Sequence, residues 1–210
     1  EGRRGFAIRS PEAELDMRMN ADDDIPTARE LVAELEQDEL RQILKDFGEV
    51  KLAGKVAAAM KRASLEGNLE TCGDLKEVVE RSAGKMVRGK RVAPTTTVFQ
   101  ALRIAVNGEL DALDAALNQA PRLLKEGGRA VFISYHSLED RRVKQAFRFG
   151  EQGPPRPGHL PPPSDWSATW SVLTRKPIQA SEREVIDNPR ARSARLRVAA
   201  RAPLSTGGKP

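Results

Sequence analysis

His136, Ser137, Glu139 and Asp140 bring an imidazole, a hydroxyl and two carboxylates together within five residues. Side chains of these types hold, accept or move protons, and whether they can act on a ligand depends on the elements that carry them. Just upstream, residues 130–134 (AVFIS) form a short apolar run suited to a buried strand, and a helix is predicted over residues 137–147, with Val143 and Phe147 along one face. Residues 123–125 read as the end of an earlier helix and Gly127-Gly128 as its left-handed stop. Helix, strand, helix is the grammar of an open α/β sheet, whose ligand crevice lies beyond the carboxyl ends of its strands. Here that end is Tyr135-His136-Ser137. The plainer alternative is that Ser137 and Asp140 form an acidic capping box and that His136 makes a structural hydrogen bond.

A second polar group lies near the start, in Leu15-Asp16-Met17-Arg18-Met19. With Phe6 and Ile8 this region carries too many apolar side chains for a solvated arm, so an ordered loop is expected. A third pair, Arg103 and Asn107, stands four residues apart on a predicted helix over residues 96–117. It shares a face beside the apolar stripe, open either to solvent or to a ligand or neighbouring loop.

The elements that would position these groups follow from composition and punctuation. The chain has 210 residues, 39% of them hydrophobic, enough for one large domain or one domain and a small companion. A net charge of +5 and a pI of about 9.6 suit an anionic partner. Basic residues cluster at Lys85, Arg88, Lys90 and Arg91, and again at Arg192, Arg195, Arg197 and Arg201; two such clusters on one sheet-built domain point to nucleic acid, the plainer alternative being solvated loops. The single cysteine, Cys72, excludes an internal disulfide and suits a reducing, cytoplasmic setting; no Cys/His cluster has zinc spacing. No apolar run reaches membrane length, and no membrane partner is expected.

From Asp22 the pattern is helical. Thr27 and Glu30 form a capping box, Asp38 caps a second helix closed by Gly48, a third runs to about Gly67, and Thr71 with Asp74 opens a fourth. Three or four short helices in this stretch make a small bundle. After the basic linker and the long helix of residues 96–117, residues 150–165 hold six prolines and three glycines, which is loop chemistry. Strands are predicted over residues 170–174 and 195–200, an antiparallel pair at a sheet edge, with a turn of helix over residues 181–186 between them.

Four segments in order resemble the bacterial small-subunit (16S) ribosomal RNA (cytosine-N4)-methyltransferases: Arg4-Gly5-Phe6 with residues 15–19; residues 99–110 (FQALRIAVNGEL); residues 133–141 (ISYHSLEDR); and residues 188–196 (NPRARSARL) after residues 173–178 (LTRKPI). The resemblance covers nearly the whole chain. It implies an α/β fold of the class I S-adenosylmethionine-dependent methyltransferase type, here the C-terminal part of a doubly wound sheet with an inserted helical domain. Residues 1–21 would be a loop of the methyltransferase domain, 22–93 the insert and 94–210 the C-terminal part of that domain. The family's glycine-rich cofactor loop and ribose-binding acidic residue have no counterpart here, so the cofactor, S-adenosylmethionine, is expected to be held mostly outside this sequence. Asn20, Thr97 and Glu126 stand where the family usually has Asp, Arg and Pro, and the change at Thr97 weakens any phosphate contact expected there.

The implied reaction methylates the N4 amino group of a cytidine in small-subunit ribosomal RNA. Asp16, His136 and Ser137 would be the catalytic group, His136 and Ser137 positioning the base and Asp16 ordering its loop or accepting from the amino group. Phe6, Arg18, Arg103, Asn107, Glu139, Arg192 and Arg195 would contact substrate. The alternative, from another class, is a non-catalytic RNA-binding module of the same descent. Such a sheet would expose unpaired edges, so self-association, including a homodimer, is a further expectation.

Overall fold

The computed structural model describes residues 10–84, 92–153 and 166–203. Phe6, the linker residues Lys85, Arg88, Lys90 and Arg91, and residues 154–165 lie outside that description. The chain divides into two compact units, Glu1–Glu109 and Leu110–Pro210.

The first unit is helical: α1 (Ala28–Glu34), α2 (Gln37–Gly48), α3 (Ala53–Leu65), α4 (Cys72–Ala83) and α5 (Pro94–Asn107). The capping boxes Thr27/Glu30 and Thr71/Asp74 form as the sequence predicts. That of α2 is Glu36/Glu39, its N-cap two residues earlier than the expected Asp38, which instead adds negative charge to the first turn. Apolar stripes from all five helices meet in one core, where Val32, Leu40, Leu44, Val56, Met60, Leu75, Val79 and Leu102 are fully enclosed. Gly48 sits where a Cβ would come within 2.6 Å of the Thr97 carbonyl oxygen, so α2 and α5 meet at backbone distance. Residues 10–20 are not an arm. Leu15 and Met17 insert into this core, Leu15 N–H donates to Glu70 O, and Ala28 and Arg29 N–H groups donate to Asp16 and Leu15 carbonyls. Cys72 lies beneath the same segment, its N–H on Ala13 O, and burial pushes its thiol up to about 11.

One long helix over residues 96–117 is not found. Gly108 adopts φ 57°, a left-handed conformation that caps α5, and α6 (Glu109–Leu123) starts beyond it.

The second unit holds β1 (Arg129–Ser134), α7 (Ser137–Gln152), β2 (Trp170–Val172), β3 (Ile178–Gln179), α8 (Glu182–Asp187), a 3-10 turn at Pro189–Ser193 and β4 (Arg195–Arg201). β4 lies centrally, antiparallel to β1 on one side and to β2 and β3 on the other. Among the described residues the sheet is thus antiparallel throughout, and the mixed α/β arrangement is that of the expected methyltransferase class. The period-2 alternation puts Ala130, Phe132, Trp170, Val172 and Ala199 on the face covered by α7 and α6, whose Val143, Phe147 and Leu117 complete a second core. Phe147 stands edge-on to both Phe132 and Trp170, with centroids at 5.8 and 5.4 Å. Gly150 leaves room for the Trp170 ring, which a Cβ would meet at 2.3 Å.

The apolar run of residues 130–134 predicts a buried strand. Only one face is covered: Val131 and Ile133 are 55% and 56% exposed, and Ile178 shares that open face through its register with Leu196. β1 also has no described partner along its outer edge.

Candidate functional site

Two polar constellations emerge, one in each unit. In the first unit the chain makes a tight turn through Met17, whose φ of 63° is rare for a side chain with a Cβ. Asp16 receives Arg18 in a fork, Nε to Oδ1 at 2.8 Å and Nη2 to Oδ2 at 3.1 Å, and also the Arg18 backbone N–H at 3.1 Å. The Arg18 side chain, with burial opposing it, holds the Asp16 carboxyl below its ordinary value, so Asp16 is an anion at neutral pH and an acceptor rather than a base. Asn107 locks this turn from α5. Its Oδ1 accepts from Met19 N–H at 2.7 Å, while Nδ2 donates to the Met17 and Arg103 carbonyls, both at 2.8 Å. Of the two roles open to Asn107 in the sequence, the loop contact is the one formed. Arg103 forks onto Glu109, Nε to Oε1 at 2.7 Å and Nη2 to Oε2 at 2.9 Å.

In the second unit the capping assignment changes. The N-cap of α7 is His136, not Ser137: Nδ1 accepts from Glu139 N–H at 3.4 Å, and the Glu139 carboxylate accepts from the N–H groups of Tyr135 and His136 at 2.8 and 3.3 Å. The reason is register. β1 ends at Ser134, and His136, at φ −133° and ψ 164°, is the last extended residue before the helix. The Glu139 carboxyl is raised by burial but lowered more by the His136 side chain and these N–H groups, and it stays below its ordinary value. His136 Nε2 is buried without a hydrogen bond of good geometry; it faces Glu139 Oε1 at 3.3 Å, an ion pair only when the imidazole is protonated. Ser137 is thereby released from capping and is exposed at the first position of α7.

Asp140 is released too, and it points at the sheet. Arg197, only 7% exposed, donates Nε to Oδ1 at 2.7 Å and Nη2 to Oδ2 at 3.1 Å, and Arg195 adds Nη1 to Oδ2 at 3.2 Å. Burial raises the Asp140 carboxyl, the two guanidiniums lower it further, and the balance leaves it depressed. Arg195 is therefore partly occupied by an acid, whereas Arg192, on the 3-10 turn, is exposed. The sequence groups Arg197 with the basic cluster of Arg192, Arg195 and Arg201. The signal that would have found it is the spacing Arg195-x-Arg197 within a strand, which places both on one face, and that face is the covered one.

Replacing His136 by alanine should cost about 1 kcal/mol through loss of the cap alone. His136→Asn, which keeps an acceptor at the cap, should recover most of that in a thermal melt while lacking the imidazole; a larger or unrecovered loss would mean that Nε2 has a structural partner.

S-adenosylmethionine, implied by the resemblance, can be tested against these residues. The buried, unpaired His136 Nε2 at the strand end is the kind of atom a ligand would satisfy. The rest does not fit: β1 runs straight into a capping box rather than a glycine-rich turn, and both carboxylates that follow it are engaged. The described residues do not by themselves make a site for that cofactor.

Comparison with known proteins gives a consistent answer. The model of the MraW methylase family matches residues 1–202. The ribosomal RNA small subunit methyltransferase H of Myxococcus xanthus is 46% identical over 196 residues, 93% of this chain and 62% of that protein. The proteins of the same name from Sorangium cellulosum and Geobacter sulfurreducens are 44% and 42% identical over 198 residues each, 94% and 93% of this chain and 56% and 63% of theirs. The chain thus spans about three-fifths of the length of the curated relatives it matches. Among the described residues no helix is long and apolar enough to cross a membrane. With an unbroken family match over almost its full length and relatives above 40% identity, the chain belongs to the MraW methylase family.

Proposed function

We propose that this chain is the substrate-facing part of an S-adenosylmethionine-dependent enzyme that methylates the N4 amino group of a cytidine in small-subunit ribosomal RNA. The observation that carries the reading is the match to relatives named for ribosomal RNA methylation across 93% of the chain. The cofactor, in this reading, is held chiefly by residues outside this sequence, in a domain of which residues 1–21 and 94–210 are parts and residues 22–93 an insert. The open face of β1 and its edge, unpaired among the described residues, support it, because Val131, Ile133 and Ile178 form an apolar surface suited to further strands and helices of the same domain.

S-adenosylmethionine, held by the rest of the domain, would supply the methyl group, and the residues of this chain would orient the cytidine N4 amino group for the transfer. Orientation supplies much of the acceleration. Asp16, a fixed anion, accepts from the amino group; His136 and Ser137, at the end of β1, position the base; Glu139 holds His136. Asn107 acts on the Asp16 loop and Arg103 on the end of the same helix, as positioning residues, while Arg18, Arg192, Arg195 and Phe6 meet the RNA. The base leaves its stack to be reached, at a cost of roughly a few kcal/mol. The partner is ribosomal RNA in the cytoplasm, and a homodimer through the uncovered face is the competing occupant of that surface.

Calorimetric titration of S-adenosylmethionine into this chain and into a form extended upstream in its reading frame tests the division of labour. Binding by the extended form alone is expected. Equal binding by both would place the cofactor on residues of this chain. Methylated small-subunit RNA digested to nucleosides should then yield N4-methylcytidine; another methylated nucleoside would overturn the assignment, and RNA binding without cofactor binding by either form would favour the non-catalytic module.

A further inference from the structure

The second unit carries a cavity of about 310 Å³ against the last turns of α7, where they pack on β2, and none of the residues assigned above as substrate contacts lines it. Its mouth is basic. Lys144 and Arg148 lie one turn apart on α7 and are exposed, and Arg175, just beyond β2, has a side chain 74% exposed. Lys144 has no hydrogen-bond or ion-pair partner among the described residues, and Arg148 donates only Nε, to Gln152 Oε1 at 3.2 Å. The single carboxylate of the lining, Glu151, is already in use: Oε1 accepts from Val172 N–H at 2.8 Å and Oε2 lies 3.6 Å from Arg175 Nη2. Arg197 forms the inner wall but is spent on Asp140. Phe147 and Val172 supply an apolar floor.

Three exposed cations over one engaged acid select an anion, and guanidinium forks suit the oxygens of a phosphate. A volume at the lower end of the ligand-pocket range, with an apolar floor, is more than a lone phosphate needs. The linear charge of an RNA strand also lets separate cations on a helix and a loop act on one chain.

We propose that this cavity is a binding site for single-stranded RNA, a backbone phosphate lying against Lys144, Arg148 and Arg175 and the adjoining ribose over Val172. The site rests on the ribosomal RNA reading above and adds to it a contact outside the constellations at Asp16 and His136. It also gives this unit exposed cations beyond Arg192 and Arg195, whereas the charge of Arg197 is turned toward Asp140.

The test is fluorescence anisotropy of a short labelled polyuridine oligonucleotide with the 210-residue chain, across a salt series, for wild type and for the triple variant Lys144→Gln, Arg148→Gln, Arg175→Gln. The charge-matched control is Lys76→Gln, Arg122→Gln, Lys125→Gln. The expected result is a loss of affinity of about tenfold in the site variant, with the log–log salt slope shallower by about 0.7 for each phosphate contact removed, and a much smaller change in the control. Far-UV spectra and melts of both variants establish that they fold. An equal loss in the control would reduce the effect to net charge and overturn the site. A wild-type chain that binds RNA with an affinity untouched by the site variant would overturn the site but leave the RNA reading standing, whereas a wild-type chain that binds no RNA would remove both. Saturable, variant-sensitive binding of inorganic phosphate without any effect of the variant on RNA affinity would assign the cavity to free phosphate and sink the proposal.

Discussion

Asp140→Ala is expected to destabilise the second unit by about 3–5 kcal/mol, the cost of leaving a buried charge without its counter-ion. Arg197 is 7% exposed and holds Asp140 through two hydrogen bonds, so once the carboxylate is gone its guanidinium has no counter-ion and keeps only the long bond from Nη1 to the Arg175 carbonyl, at 3.5 Å. Arg195, at 41% exposure, can turn outward and hydrate, and Arg195→Ala should cost no more than about 1 kcal/mol. Urea unfolding would separate these cases. Removing both partners together, as Asp140→Leu with Arg197→Met, should restore much of the stability, because a well-packed apolar pair avoids the desolvation of two ions. If the double variant were as unstable as Asp140→Ala, packing around the site rather than the unpaired charge would be the cause. The pH dependence has a definite sign. The folded carboxyl sits below its unfolded value of about 3.9, so its contribution is complete above that pH and is lost as pH falls through the folded value. The stability gap between wild type and Asp140→Asn should therefore be flat from neutrality to about pH 5 and close in stronger acid.

Asn107→Ala should open the turn at Met17. One amide satisfies the Met19 N–H and the carbonyls of Met17 and Arg103, and it does so across a backbone conformation that costs energy by itself, with Met17 at φ 63°. Loss of the clamp should cost about 1–3 kcal/mol locally, and the Met19 amide should exchange with solvent about tenfold faster for every 1.4 kcal/mol. Asn107→Asp is the sharper variant. Its carboxylate still accepts from Met19 but faces two carbonyl oxygens where the amide donated, so exchange should be at least as fast as in Asn107→Ala. Slow exchange in both would show that Leu15 and Met17, anchored in the helical core, hold the loop unaided. In a methylation-competent form either variant should reduce turnover through the misplaced Asp16, with a smaller effect on RNA affinity.

Local chemistry was legible where the chain's own neighbours decide. Thr27 with Glu30 and Thr71 with Asp74 cap their helices because the partners are three residues apart and nothing else competes for them. At the start of α7 two such pairs overlap, His136 with Glu139 and Ser137 with Asp140, and spacing alone cannot choose. The choice is made by where β1 ends, which leaves His136 as the last extended residue, and Arg197, 57 positions away, takes up the released Asp140. Gly108 reads in sequence as a glycine tolerated within a long apolar stripe, yet its left-handed φ ends α5. β3 is two residues long and exists through pairing with β4, so no periodicity could announce it. Two of the three partners of Asn107, Met17 and Met19, lie 90 and 88 positions away in sequence, which is why its two alternatives stay open until the turn of residues 15–19 is placed.

The thiol of Cys72 makes the protein its own reporter. It is the only cysteine in the sequence, it is 1% exposed at the first turn of α4, and burial keeps it protonated at neutral pH. A thiol-reactive dye can therefore label it only when the segment of residues 10–20 lifts from α4, and the labelling rate, compared with that of the unfolded chain, counts the fraction of molecules caught open. Because the second unit has no thiol, the signal belongs to the helical unit alone. Bound RNA, a cofactor or a substitution can each be asked, in one reaction vessel and without added labels in the sequence, whether its influence extends to Cys72.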